Sequence, residues 1–137
     1  MRVCVLYADQ PSAKICKELA DALAKGIESQ GHFVDLIEIG QNKGKTLTTY
    51  DYIVLGATPT SFFSKSFDNK VSTFLKQNGN VGGKRSFAFI PNKGLRKTKS
   101  LQNLMMIMEK EGMFVTFSEV IKSVSEAKLI GSQLLIK

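Results

Sequence analysis

The spacing of apolar residues changes several times along the chain. In some stretches they are continuous or alternate with polar residues, and in others they recur every three or four residues, as on one face of a helix. The runs predict strands near residues 3–7, 32–39, 52–55, 86–90 and 114–117, the last running on towards Ile121. Apolar residues four apart, at Ile15, Leu19, Leu23 and Ile27, predict a helix from about Ser12 to Gln30. Similar apolar faces predict helices near residues 67–79, 101–112 and 127–135.

Strands and helices alternate along the chain, which predicts an α/β protein with a parallel sheet and helices on both faces. The connection over residues 40–49 is the exception, because it has neither a strand nor a helix period. In open sheets of this kind, ligands bind beyond the carboxyl ends of the strands. We therefore expect any small-molecule site near residues 8–12, 57–65, 91–99 and 118–123.

Length and composition favour one domain, residues 1–137, in a reducing, cytoplasmic compartment. No apolar run approaches the roughly 18 residues of a membrane span. The two cysteines, Cys4 and Cys16, are too few for a disulfide scaffold and are expected to be buried. Spacing alone nominates no nucleophile with a base, so enzymatic activity is left open.

Three features of the chain point to one family: the strand–loop–helix start, the segment YDYIVLGATPTSFFSKSF at residues 50–67, and the order of elements after it. Through these features nearly the whole chain resembles a flavodoxin-like protein. Within that segment, residues 56–60 match the pattern G-x-[ST]-P-T. The resemblance implies a doubly wound, five-stranded parallel sheet in the order 2-1-3-4-5. It also implies FMN at the carboxyl edge, with its phosphate in the first loop and its ring between the loops after the third and fourth strands.

The first loop departs from the pattern [ST]-x-T-G-x-T that flavodoxins usually have there. Three hydroxyl positions are Ala8, Gln10 and Ala13, the glycine is Pro11, and Ser12 stands where the pattern is free. Each lost hydroxyl removes a charge-assisted hydrogen bond worth about 1.5–3 kcal/mol. The resemblance therefore predicts weak FMN binding.

Phosphate contacts are expected in the first loop, and ring contacts in the two later loops. The residues assigned to the phosphate are Asp9, Gln10, Ser12 and Ala13. Those assigned to the ring are Thr58, Pro59, Thr60, Phe62, Asn92, Lys93 and Gly94, with Phe63 an alternative to Phe62. Two functions remain open: an electron-transfer protein that holds FMN weakly or conditionally, and a binding or regulatory module that has lost FMN.

Positive charge is concentrated in the second half of the chain. Residues 1–69 carry 7 basic and 8 acidic residues, whereas residues 70–137 carry 12 basic and 4 acidic residues. Four of these basic residues lie in one loop, at Lys93, Arg96, Lys97 and Lys99. This loop predicts an acidic redox partner or a phosphorylated ligand, with a solvated surface as the alternative. A nucleic acid is disfavoured, because the sequence has no known binding motif or aromatic stripe.

Asp9 gives the first loop a second interpretation. It stands two residues before Pro11, and proline is tolerated in the first turn of a helix. Asp9 is therefore a candidate N-cap residue whose carboxylate accepts the N–H of Ser12. Its charge would then stand where a phosphate otherwise binds, and we hypothesise a self-filled anion site. The alternative is an ordinary helix cap, with phosphate held elsewhere or not at all.

Overall fold

The computed structural model describes residues 1–9, 14–39, 46–58, 65–94 and 96–136, and of residues 65–69 it describes the backbone alone. The described chain has nine elements, five of them strands, and strands alternate with helices except that β3 follows β2. The strands are β1 (Arg2–Ala8), β2 (Phe33–Glu38), β3 (Tyr52–Ala57), β4 (Arg85–Pro91) and β5 (Phe114–Ile121). The helices are α1 (Ile15–Glu28), α2 (Lys65–Gln77), α3 (Lys97–Lys110) and α4 (Val124–Gln133).

All five strands are parallel and form one sheet in the order β2-β1-β3-β4-β5. The predicted fold class and strand order are therefore confirmed. β1 and β3 are apolar and buried along nearly their whole length, as strands covered on both faces must be. Their register pairs Ala8 with Ala57, so both strands end at the same level of the carboxyl edge.

Alternate residues of each strand serve two separate cores. In β1, Cys4 and Leu6 belong to the core beneath α2 and α3, whereas Val3 and Val5 belong to the core beneath α1 and α4. This alternation follows from the two-residue period of a strand. Cys4 and Cys16 are buried, as the sequence predicted.

Residues 46–50 belong to the connection between β2 and β3, which was predicted to lack a helix. They cover part of the sheet face that α2 and α3 also cover. Leu47 and Tyr50 are buried in the α2–α3 core, and the Tyr50 phenol donates to the Asp35 carboxylate at 2.6 Å. The Lys84 ammonium donates to the carbonyl oxygens of Thr48, at 2.8 Å, and of Tyr50, at 2.6 Å. One cation thus ties the segment to the start of β4. Residues 40–45 of this connection lie outside the described residues.

The first helix begins later than the sequence predicted. It starts at Ile15, with Lys14 as its N-cap residue, and not near Ser12. The apolar period in fact begins at Ile15. The first turn of α1 packs into the core between this helix and the sheet. Within the described chain, no helix is long and apolar enough to cross a membrane.

Candidate functional site

The carboxyl edge of the sheet has a topological switch point at β1. The connection after β1 leads outward to β2, whereas the connection after its other neighbour, β3, leads outward to β4 in the opposite direction. Ligands of doubly wound proteins bind in the crevice at such a point. The residues that follow the two central strands there are Asp9, after β1, and Thr58, after β3.

Asp9 and Thr58 meet at this switch point. The Thr58 backbone N–H donates to the Ala8 carbonyl at 3.0 Å, and the Thr58 hydroxyl donates to Asp9 Oδ1 at 2.7 Å. Thr58 is buried, with 4% of its surface exposed. Thr58 was predicted to border a flavin ring, but in this structure its hydroxyl hydrogen serves a carboxylate of the protein itself.

The Asp9 carboxylate also caps helix α1, in a way that differs from the predicted one. The N–H of Cys16 donates to Oδ1 at 2.9 Å, and the N–H of Lys17 donates to Oδ2 at 2.8 Å. Asp9 is not the N-cap residue, because that position belongs to Lys14. Asp9 lies five positions before Lys14 in the sequence, and its side chain reaches the first turn of α1 from there. Ser12, the predicted donor, lies outside the described residues.

Cys16 shares this corner, but its environment makes it a poor nucleophile. Burial raises the pKa of its thiol well above the usual value, and the Asp9 charge raises it further. The Ala8 backbone and the Thr58 side chain lower the pKa, and their effect is smaller. The thiol therefore stays protonated near neutral pH, and only a thiolate is reactive.

A second carboxylate makes the β1–β2 side of the site negative. Burial raises the pKa of the Tyr7 phenol, and the charges of Glu38 and Asp9 raise it further. Glu38 is the last residue of β2, and Asp9 follows the end of β1 directly. Both carboxylates therefore lie at the edge where a flavodoxin-like arrangement would place a cofactor phosphate.

The described residues of this corner do not fit the phosphate of FMN. A phosphate at a helix N-terminus needs free N–H donors and positive potential. Here two of those donors, on Cys16 and Lys17, already serve the Asp9 carboxylate, and the Thr58 hydroxyl does the same. A second anion at this position would meet like charge and donors that are already used.

The loop after β4 lies on the other side of the same edge. The Asn92 N–H donates to the Ile121 carbonyl at 2.9 Å, and the Lys93 N–H donates to the Pro91 carbonyl at 2.8 Å. Asn92, Lys93 and Gly94 are exposed. Within the described chain, no hydrogen bond joins these three residues to Asp9 or Thr58. The remaining predicted site residues, Gln10, Ser12, Ala13, Pro59, Thr60 and Phe62, lie outside the described residues.

Gly56, the first residue of the G-x-[ST]-P-T match, has a packing role. It pairs with Phe89 of β4, and a Cβ atom at Gly56 would collide with the Phe89 ring. Phe89 is buried in the core beneath α1 and α4. The absence of a side chain at Gly56 therefore makes room for a side chain of the protein.

No protein-family profile matches this sequence, and no curated protein matches it. Solved structures do match. An archaeal flavodoxin has a TM-score of 0.69 at 21% identity, covering 98% of this chain and 96% of its own. Flavodoxin 1 from Bacillus cereus has a TM-score of 0.72 at 16% identity, covering 97% of this chain and 96% of its own.

The chain has a flavodoxin-like fold. A third structure with this fold is a WrbA-like flavodoxin from Agrobacterium tumefaciens, with a TM-score of 0.67 at 17% identity. It covers 96% of this chain and 94% of its own. At identities this low, the likeness concerns the flavodoxin-like fold, and function has to be argued from the site.

Three features of the carboxyl edge were missed by sequence reasoning. Two are the backbone donors of Cys16 and Lys17, and the Ile15-Leu19-Leu23-Ile27 period could have placed them, since it marks where α1 begins. The third is Lys122, which directly follows β5 beside the loop after β4. In the described ranges, no group of three or more His, Cys, Asp or Glu side chains could hold a metal ion.

Proposed function

We propose that this protein is a flavodoxin-fold binding module without a resident FMN. The observation that carries the proposal is the Asp9 carboxylate, which accepts hydrogen bonds from Cys16, Lys17 and Thr58. A carboxylate is favoured near a helix N-terminus by about 0.3–1 kcal/mol, so the corner is stable without a ligand. Asp9 makes it a self-filled anion site.

A second candidate is a redox protein that holds FMN weakly or conditionally and transfers electrons to an acidic partner. It is favoured by the likeness to flavodoxins over nearly the whole chain. When bound, the flavin would supply the electron chemistry, and the protein would supply orientation and electrostatics. The two candidates differ in whether the protein binds FMN.

The test is a titration of the purified protein with FMN and, separately, with riboflavin, which has the same ring but no phosphate. Flavin fluorescence and absorption report binding. For the module, we expect no quenching of either flavin up to high micromolar concentrations. Quenching by FMN at clearly lower concentrations than by riboflavin would contradict the proposal and support the redox candidate.

Two variants locate the effect at Asp9. Asp9→Asn removes the charge and keeps the side-chain shape, so FMN should quench in this variant at concentrations at which the wild type shows no quenching. Asp21→Asn is the matched control, because Asp21 lies on the exposed face of the same helix and pairs with Lys25. No change in Asp9→Asn, or equal changes in both variants, would contradict the self-filled site.

A further inference from the structure

Five basic residues on the β4–β5 side of the carboxyl edge form what we call the basic surface. They come from the loop after β4, the start of α3 and the residue after β5, and they are Lys93, Arg96, Lys97, Lys99 and Lys122. Four of them are exposed, and Lys97 is half-buried. The surface lies outside the Asp9 corner described above.

A backbone hydrogen bond brings the two contributing segments side by side. The Asn92 N–H donates to the Ile121 carbonyl at 2.9 Å. Lys93 and Lys122 directly follow these two residues, so both side chains start from the same part of the edge. Arg96 is fixed to the start of α3, because its carbonyl accepts the N–H and the hydroxyl of the buried Ser100, each at 3.0 Å. Hydrogen bonds of the backbone thus hold the segments that carry Lys93, Arg96 and Lys122.

The basic surface has no charge partner within the described chain. The described ion pairs are Lys25–Asp21 and Lys76–Glu111, and neither involves it. The first turn of α3 contains no acidic residue, although acidic residues are favoured at that end of a helix. The basic side chains therefore repel one another and the positive end of the α3 dipole. No acidic residue of the described chain offsets either repulsion, and an acidic ligand would offset both.

The position of the exposed aromatic residues decides which class of acidic ligand fits. Proteins that bind single-stranded nucleic acids stack bases on aromatic rings beside their basic groups. The large exposed aromatic residues of the described chain are Phe33, Phe114 and Phe117. Phe33 and Phe114 are the first residues of β2 and β5, at the amino edge of the sheet. Phe117 lies in the middle of β5, where its ring stacks on Phe87. Among the described residues, the basic surface at the carboxyl edge thus has no exposed aromatic ring beside it for stacking.

We propose that the basic surface is a docking site for an acidic segment of a partner protein. The proposal rests on the proposed function and names the kind of partner that the module binds. Exposed lysines attract carboxylates over about a Debye length, roughly 8 Å at physiological salt, so association should be fast and sensitive to salt.

The experiment measures binding of fluorescent poly-L-glutamate by anisotropy at two salt concentrations, without flavin. In the test variant, Lys93, Lys97, Lys99 and Lys122 are changed to glutamine. In the matched control, Lys25, Lys76, Lys110 and Lys128 are changed to glutamine, which removes the same charge from exposed positions elsewhere. The test variant should bind at least tenfold more weakly than the wild type, whereas the control should stay within threefold. Higher salt should weaken the wild type most.

Three outcomes would overturn the proposal. Equal weakening in both variants would mean that net charge alone drives binding. Tighter binding of a duplex oligonucleotide than of poly-L-glutamate would make the ligand a nucleic acid. Release by inorganic phosphate, but not by sodium chloride of the same ionic strength, would make it a phosphorylated ligand. The proposal that the protein lacks a resident FMN is tested separately, by the flavin titration. Its failure would therefore be distinguished from a failure of the docking site, because that titration does not depend on these lysines.

Discussion

At the scale of single residues, several positions that look like parts of a cofactor motif serve the protein's own packing. Gly56 stands in the G-x-[ST]-P-T match, yet the space above it is filled by the Phe89 ring. Thr58, two residues on, gives its hydroxyl hydrogen to Asp9. Both residues therefore have a structural reason to be present that does not require a bound flavin.

Gly56→Ala should destabilise the protein by about 1–3 kcal/mol, the usual cost of overpacking a core. The new methyl group would force the buried Phe89 ring out of its place. Chemical denaturation monitored by circular dichroism measures the loss. Gly82→Ala is the control, because a Cβ there would meet only the exposed Asn80 side chain, at 3.0 Å.

A double mutant identifies the cause of that loss. Phe89→Leu removes the ring and is destabilising by itself, but in its presence Gly56→Ala should cost clearly less than in the wild-type background. Such non-additivity is expected only of residues in contact. Additive free energies of unfolding for the two substitutions would show that the ring does not limit the space at Gly56.

At the scale of elements, α1 and α4 approach each other through glycines. A Cβ at Gly26 would collide with the Lys128 carbonyl oxygen and lie 2.7 Å from the Ser132 nitrogen. A Cβ at Gly131 would collide with the Leu23 carbonyl oxygen. Gln30, just beyond α1, donates to the carbonyl oxygens of Gly131, at 2.7 Å, and Leu134, at 3.0 Å. The backbone of α4 is thus held directly against α1.

Gly26→Ala should therefore destabilise the protein, contrary to helix propensity. Propensity alone favours alanine over glycine in a helix by about 1 kcal/mol. Here the obstacle is backbone, which cannot move aside as a side chain can, so we expect a net loss of about 1–3 kcal/mol. Thermal and urea denaturation measure it, with Glu28→Ala on the exposed side of α1 as the control. A gain in stability for Gly26→Ala would contradict the close approach of the two helices.

At the scale of the whole molecule, the pH dependence of stability should report the buried Cys16 thiol. Its pKa is raised in the folded state, chiefly by burial, so the folded protein holds a proton that the unfolded chain releases near pH 8.5. Stability is therefore fully present below that pH and falls as the pH rises towards the folded-state pKa. The slope approaches about −1.4 kcal/mol per pH unit for one such group.

The measurement is the free energy of unfolding at several pH values between 7.5 and 9.5 in the wild type and in Cys16→Ala. The variant is expected to be less stable at every pH, because it leaves a cavity, so the slope and not the absolute value carries the test. The slope should be shallower in the variant. Parallel slopes would mean that the Cys16 thiol titrates equally in the folded and unfolded states.

The sequence by itself determined the type and order of the elements, because apolar periodicity is a local property that a buried strand or an amphipathic helix imposes on its own residues. The continuous runs of β1 and β3 and the period of α1 could be located without any knowledge of their neighbours. The strand order 2-1-3-4-5 was predicted from the resemblance to flavodoxins, because the periodic pattern of a strand does not indicate which other strand it pairs with. The positive charge of residues 93–99 was also visible, but not its proximity to Lys122, nor that Lys97 and Lys99 belong to α3 and not to a loop.

Only the tertiary structure decided how the candidate site is built. Asp9 and Thr58 are 49 positions apart, and their hydrogen bond exists because β1 and β3 pair in register. The donors of Cys16 and Lys17 reach the same carboxylate because α1 begins at Ile15 and not near Ser12. Contacts of this kind depend on where two strands and a helix end relative to one another in space. Local sequence carries no record of such distances, so the partners of the Asp9 carboxylate were decided by packing.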